Sequence, residues 1–152
     1  MPVPRALFLV APCEGAPSCQ IVPTDPVLPP GLRAIVFAFG EDFRIGVDMP
    51  RRVFGALASL PEADRDFVVM ASDGHGVPPL VAHHGAPWDG VDAADRDGIW
   101  KLADALFACA FGGSWCEYAL GNTAAQRFMG VWSDGTPVAE LQVTDDIGPS
   151  AP

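Results

Sequence analysis

Sixteen glycines and sixteen prolines interrupt this chain of 152 residues so often that long regular elements have little room. Between them lie short apolar runs bounded by turn-forming residues, a pattern typical of buried β-strands. Residues 5–11, between Pro4 and Pro12, are therefore predicted to form a first strand, and residues 67–71 a later one. Residues 12–31 hold six prolines and are predicted to form a long surface loop.

Two segments carry the pattern of β-hairpins. Residues 34–39 and 43–48 flank a Gly40-Glu41-Asp42 turn, and the second arm alternates between apolar and polar residues. Its core-facing residues are predicted to be Phe43, Ile45 and Val47. Residues 128–132 and 138–143 flank an Asp-Gly pair, which is among the strongest short-range signals for a hairpin.

Helical spacing of apolar residues appears in two places. The longer helix is predicted from about residue 92 to about residue 111, with Leu102 and Leu106 on its buried stripe. A shorter helix is predicted over about residues 50–60 and ends before Pro61. These elements predict an α+β fold with a mostly antiparallel sheet built from hairpins, on which both helices pack.

The chain length favours a single domain, predicted to span residues 1–143. The remaining residues, 144–152, are polar and include two prolines, so they are predicted to be a flexible tail.

The charge balance restricts the partners of this protein. Nineteen acidic residues outweigh nine basic ones, which leaves a net charge of −10. Such a chain repels phosphate backbones and anionic membranes and attracts basic proteins. We therefore expect a protein partner with a basic surface, and neither nucleic acid nor membrane as a ligand. The first apolar run is short for a secretory signal, so a cytoplasmic location is expected.

The four cysteines have spacings that do not match a zinc site. Cys13 and Cys19 are separated by five residues, and Cys109 and Cys116 by six. In a reducing cytosol they are predicted to be free thiols, with a Cys13–Cys19 bridge as the alternative in an oxidising compartment. No metal and no cofactor are expected.

Three histidines lie within ten residues of each other, at positions 75, 83 and 84. They could act as a general base or bind zinc, but neighbouring side chains on a strand point to opposite faces. Solvent-facing histidines at the end of a loop are therefore the simpler interpretation. The alternative is a small enzyme with a cleft lined by His75, His83, His84 and Cys116.

An acidic cluster surrounds the predicted start of the long helix. Its carboxylates, together with a tryptophan that no periodic segment includes, are predicted to form a docking surface. The proposed contact residues are Trp88, Asp89, Asp92, Asp95 and Asp97. The helix macrodipole alone also favours carboxylates at this position, which would make the cluster a solvated helix end.

The sequence favours a non-enzymatic protein-binding module of the inhibitor, immunity or adaptor type, which recognises its partner through a negatively charged face. No motif assigns a catalytic residue. Two alternatives stay open: the small enzyme described above, and a structural subunit of a larger assembly. Geometry separates them, because an enzyme should bring its histidines into one concave pocket, whereas a subunit should expose apolar surface.

Overall fold

A four-stranded mixed sheet organises the structure, a computed structural model that describes residues 3–13, 19 and 26–146. Strands β1 (Ala6–Val10), β2 (Arg33–Phe39) and β3 (Arg65–Met70) run parallel, and β4 (Gln142–Thr144) pairs with β3 in antiparallel orientation. The strand order is β1-β2-β3-β4. Nearly all of β2 is buried, as expected for an apolar strand between two parallel neighbours.

Helices cover both faces of the sheet. Helix α1 (Asp48–Gly55) lies on one face and inserts Phe54 against Phe67, with ring centroids 5.7 Å apart. Helix α2 (Lys101–Gly112) lies on the other face, where Leu102 and Leu106 are fully buried as predicted. Alternate residues of β2 contribute to the two cores, because successive side chains of a strand point to opposite faces.

The first predicted hairpin is wrong. Residues 34–39 form β2, which pairs with β1 and β3 in parallel, and residues 43–47 form turns instead of an arm. Phe43, predicted to face the core, is 92% exposed. The Asp42 carboxylate explains the turn, because its Oδ1 accepts the N–H groups of Arg44 and Ile45 and winds the chain before it can extend.

The second predicted hairpin forms only in part. Its turn lies where Asp134 and Gly135 predicted it, and Val131 and Pro137 form a single antiparallel bridge. Proline cannot donate to a ladder, which limits the pairing of this arm. Only β4, at the end of the second arm, reaches the sheet. The sheet is therefore mixed and not mostly antiparallel, although the α+β class is confirmed.

The helices differ in length from their predictions. The region predicted as one α-helix over 92–111 contains a π-helical segment, Ala94–Trp100, followed by the twelve residues of α2. The region predicted as helical over 50–60 contains α1 and then turns up to Leu60. A short helix, α3 (Ala124–Arg127), lies within residues 114–127, where a short helix or turn cluster was expected. Of the predicted tail, Thr144 ends β4 and residues 147–152 lie outside the described residues.

Candidate functional site

The candidate site lies where β2 and β3 end. The chain leaves β2 through Gly40, whose N–H donates to the Met70 carbonyl at 2.8 Å. A Cβ at Gly40 would lie 3.1 Å from that oxygen, so the close approach of the two strand ends favours glycine. Glu41 then donates to the Ala82 carbonyl at 2.9 Å, which holds the loop after β3 against the loop after β2. Carboxyl ends of parallel strands are a common location for ligand sites.

A buried carboxylate and a histidine meet at this edge. Asp42 Oδ2 lies 2.8 Å from His84 Nδ1, while the backbone N–H groups of Arg44 and Ile45 bind the other carboxylate oxygen. Only 1% of the Asp42 side chain is exposed. Burial would raise the pKa of Asp42, but the hydrogen bonds from His84, Ile45 and Arg44 outweigh it and hold the pKa below its ordinary value.

The charge of Asp42 determines which nitrogen of His84 carries the proton. An ionised carboxylate can only accept hydrogen bonds, so Nδ1 of neutral His84 is the donor. The other ring nitrogen, Nε2, then has a free lone pair. A histidine held in this way is oriented to remove a proton from a group in the cleft.

The preceding histidine has the opposite tautomer. Nδ1 of His83 accepts the Gly85 N–H at 3.1 Å, so its Nε2 carries the proton and donates to Asp89 Oδ2 at 2.6 Å. Both ring nitrogens of His83 are therefore engaged, and His83 is not a candidate base. The two neighbours differ in chemistry because their backbone turns at residues 84 and 85 and the rings meet different carboxylates.

An open cleft of about 440 Å³ surrounds this arrangement. Its wall is largely aromatic, since Trp88 is 76% exposed and lies with its ring centroid 6.3 Å from that of His84. The residues that line it are Phe43, Arg44, His83, His84, Gly85 and Trp88. None of the described residues that line this cleft is a serine, threonine or cysteine.

The third histidine lies in a different cleft, of about 570 Å³. His75 Nε2 lies 2.8 Å from Asp134 Oδ2, and both side chains are exposed. Asp73 connects the two loops beside this pair. Its carboxylate accepts hydrogen bonds from the Trp132 indole and from the backbone of His75 and Ala139.

The predicted free thiols are absent among the described cysteines. Cys13 pairs with Cys19, which was the stated alternative, and Cys109 pairs with Cys116. Cys116 therefore cannot be a thiol nucleophile in this state, and it lines a separate pocket beside Arg33. Of the four residues in the predicted enzyme cleft, only His83 and His84 share one.

The predicted docking residues lie in different environments. Trp88 and Asp89 belong to the cleft region, whereas Asp95 is buried and its Oδ2 accepts the Asp92 N–H at 3.3 Å. Asp92 in turn accepts the Ala94 N–H at 2.7 Å, so these two carboxylates cap the helical segment. Burial lowers the pKa of Lys101 to about 8, and the charge of the half-buried Asp97 partly opposes this shift.

Sequence reasoning missed Asp42. It was assigned to a hairpin turn, although a carboxylate three residues after the most apolar strand is a signal for a site at the carboxyl end of a parallel sheet. Within residues 3–13, 19 and 26–146, no group of three or more potential metal ligands occurs and no helix is long and apolar enough to cross a membrane.

The comparisons add no relative: no family model, curated protein or solved structure matches this chain.

Proposed function

We propose that the Asp42–His84 pair is the acid–base centre of a hydrolytic enzyme. The observation that carries this proposal is the buried, ionised carboxylate that fixes His84 with Nε2 free in an aromatic cleft. This is the enzyme alternative of the sequence analysis without His75 and Cys116.

The proposed reaction uses His84 twice. Nε2 takes a proton from water, or from a hydroxyl outside the lining, as the oxygen attacks the carbonyl carbon of the substrate. Asp42 stabilises the imidazolium that forms, because the Nδ1–H bond is then charge-assisted at both ends. The imidazolium next donates its proton to the leaving oxygen as the carbon–oxygen bond breaks, which restores neutral His84.

Carboxylic esters are the substrate class that fits best. The aromatic surfaces of Phe43 and Trp88 favour an apolar group, and the net charge of −10 disfavours highly anionic phosphate esters. Arg44 lines the same cleft and could pair with a single carboxylate on the substrate.

A substrate panel with matched variants tests this function. Chromogenic carboxylic esters, phosphate esters and glycosides are offered to the protein and to His84→Gln. Ester turnover is expected, with kcat/KM about 10²- to 10⁴-fold lower in the variant, which is the usual contribution of a positioned acid–base group. The control is His75→Gln, which removes a histidine that lies at the same distance from its own aspartate but in an exposed pair. Equal losses in both variants, or no turnover of any panel member, would contradict the proposal.

Histidine spectroscopy provides a second test that needs no substrate. Long-range ¹H–¹⁵N spectra distinguish the two ring tautomers of neutral histidine. His84 is expected to carry its proton on Nδ1 and His83 on Nε2. Asp42→Asn should disturb the His84 pattern and leave that of His83 unchanged. Finding the same tautomer at both positions would remove the geometric basis of the proposed base.

A protein-docking role is the second proposal. Trp88 exposes 76% of its surface beside the exposed Phe43, which is unusual for side chains of this size. The exposed carboxylates of Asp89 and Asp92 provide charge for a basic partner, whereas buried Asp95 leaves the predicted contact set. Asp97 is only half-buried and remains at its margin.

Partner capture at low and high salt, followed by binding measurements, tests this role. Trp88→Ala is expected to weaken the captured complex by about 2 kcal/mol, the usual cost of losing an anchor residue. Trp100→Ala, on the helical segment before α2, is the control and should not change the affinity. Equal affinity of the Trp88 variant and the wild type would contradict this proposal. His84→Gln separates the two proposals, because it should lower ester turnover and leave partner binding unchanged.

The two disulfides support action in an oxidising compartment instead of the reducing cytoplasm expected from the sequence. Thiol titration of the unfolded protein, purified without reductant from its native source, should find no free thiol. Four free thiols would restore the cytoplasmic expectation.

A further inference from the structure

Strand β1 lies at the edge of the sheet, and no described residue forms a backbone ladder with its outer side. The Arg5 carbonyl accepts the Arg33 N–H, and the Ala11 N–H donates to the Phe37 carbonyl. Both N–H and C=O of a strand residue point to the same side, and that side alternates along the strand. Odd-numbered residues of β1 therefore bond to β2, while the N–H and C=O groups of Ala6, Phe8 and Val10 point away from the sheet.

The composition of β1 is unusual for a strand in this position. All five residues, Ala6–Val10, are apolar and partly exposed. Phe8 and Val10 pack against the core below α2, and Leu7 and Leu9 against the core below α1. Strands that are apolar on both faces normally lie inside a sheet, whereas exposed edges usually carry charges, prolines or bulges that prevent pairing. Within β1 itself there is no charge, proline or bulge.

The outward groups of β1 are complementary to a second copy of themselves. In an antiparallel pair centred on Phe8, Ala6 lies opposite Val10 of the second copy, and Phe8 lies opposite Phe8. Each of these is a pair in which both residues exchange their N–H and C=O bonds, because all of these residues point outward. Leu7 lies opposite Leu9 on the other face, so every cross-strand pair within Ala6–Val10 is apolar.

The flanking prolines, Pro4 and Pro12, confine this pairing to the short segment between them. Arg5 is the sole charged residue among residues 3–13, and in this register it lies opposite Ala11 and not opposite a second arginine. Its guanidinium lies 5.5 Å from the centre of the Phe111 ring, so this 62% exposed phenylalanine lies beside the open edge and extends its apolar surface.

We propose that the protein forms a symmetric dimer by antiparallel pairing of β1 with β1 of a second copy, which extends the sheet across both subunits. A two-fold axis through Phe8 relates the two strands, as in other isologous contacts. Each subunit carries a net charge of −10, so the subunits repel one another over distances that salt screens. Dimerisation therefore strengthens as the ionic strength rises.

Sedimentation velocity tests the dimer. The protein is measured over about a hundred-fold range of concentration at low and at high salt, because association follows mass action. The expected result is a monomer–dimer equilibrium that shifts towards the dimer with concentration and with salt. A monomer under all of these conditions would overturn the proposal, and so would a dimer that salt dissociates.

A proline substitution separates the edge from other surfaces. Ala6→Pro removes an outward N–H and leaves the ladder with β2 intact, because proline is tolerated where the N–H faces away from the sheet. The dimer dissociation constant should rise at least about tenfold, since one bond is lost from each of two symmetry-related pairs. Ala6→Val retains the N–H and is the control that should dimerise like the wild type.

Hydrogen exchange keeps the proposal testable if the proline variant does not fold. The amides of Phe8 and Val10 should exchange slowly only at concentrations at which the dimer forms. The amides of Leu7 and Leu9, which donate to β2, should be protected at every concentration. A wild-type dimer in which Phe8 and Val10 exchange as fast as in the monomer would contradict pairing at this edge.

Discussion

Two histidine–aspartate pairs with the same separation, 2.8 Å, lie in different environments in this protein. In the Asp42–His84 pair the carboxylate is 1% exposed, whereas in the His75–Asp134 pair it is 56% exposed. Backbone N–H groups bind both carboxylates, and the pKa of Asp134 falls to about 2, mainly through the Thr136 backbone and then through His75. Distance and pKa direction therefore do not distinguish the pairs; burial does.

The difference lies in what competes with each contact. Water can replace either partner of the exposed pair, so such pairs contribute little to stability. The buried carboxylate has no such replacement, and its three hydrogen bonds are its compensation for lost hydration. A fixed ring orientation, which acid–base chemistry needs, is expected only in the buried pair.

The largest predicted effect is the loss of the buried carboxylate. Asp42→Ala should lower the free energy of unfolding by about 4 kcal/mol, because two backbone donors and one histidine lose their acceptor in a buried site. Asp134→Ala, the matched change in the exposed pair, should lower the free energy of unfolding far less, because water can replace the lost contacts. Urea denaturation of both variants measures the difference, and similar losses would show that burial does not separate the pairs.

A third carboxylate sharpens the comparison because it is buried and forms no ion pair with a cation of the described residues. Asp66 accepts hydrogen bonds from the Gly121 N–H and the Gln126 amide, both at 2.8 Å, yet burial outweighs them and raises its pKa to about 6 from the ordinary 3.8. The folded state therefore holds this proton more tightly than the unfolded state. The contribution of Asp66 to stability should therefore fall as the pH rises from about 4 to about 6 and then level off.

Asp66→Asn should remove this fall. The gap between 3.8 and about 6, at 1.36 kcal/mol for each pH unit, amounts to about 3 kcal/mol. The variant is expected to exceed the wild type by about that amount at pH 7 and to match it near pH 3.5, since the asparagine oxygen can still accept both bonds. Parallel pH profiles for the two proteins in chemical denaturation would contradict the raised pKa.

The smallest predicted effect concerns two glycines beside the two pairs. A Cβ at Gly85 would lie 3.0 Å from His83 Cε1, whereas a Cβ at Gly74, next to His75, would meet nothing within 4 Å. Gly85→Ala should therefore shift the His83 ring and cost about 1 kcal/mol, while Gly74→Ala should be nearly neutral. Thermal unfolding and the His83 ring resonances measure the difference between the two variants. Equal changes in both variants would contradict this prediction.

Local patterns predicted some elements of this fold and failed where distant segments decide. Residues 5–11 and 67–71 correspond to β1 and β3, and Leu102 and Leu106 are buried as their spacing indicated. The predicted pairing of β2 was wrong because the sequence of an apolar strand does not indicate which strands lie beside it. Local spacing cannot show that the neighbours of β2 are the parallel strands β1 and β3, each joined to it by a crossover.

The candidate site was only half visible in the sequence for the same reason. His83 and His84 stood out as a pair, but the residue that orients His84 lies 42 positions earlier. Neither the proximity of Asp42 nor its burial follows from local periodicity. The buried capping role of Asp95 was equally hidden, because a carboxylate at a helix start can point either to solvent or back to the backbone.

The disulfides have a consequence for how the protein can be made. Their cysteines are only six and seven positions apart, so each bond closes a small ring and neither joins one strand of the sheet to another. In the chain-entropy model, a ring of this size lowers the conformational entropy of the unfolded chain, which stabilises the folded state by about 2 to 3 kcal/mol. Because neither ring joins two strands, we expect the sheet and both of its cores to assemble in a reducing expression host, with the cysteine pairs closing afterwards in air.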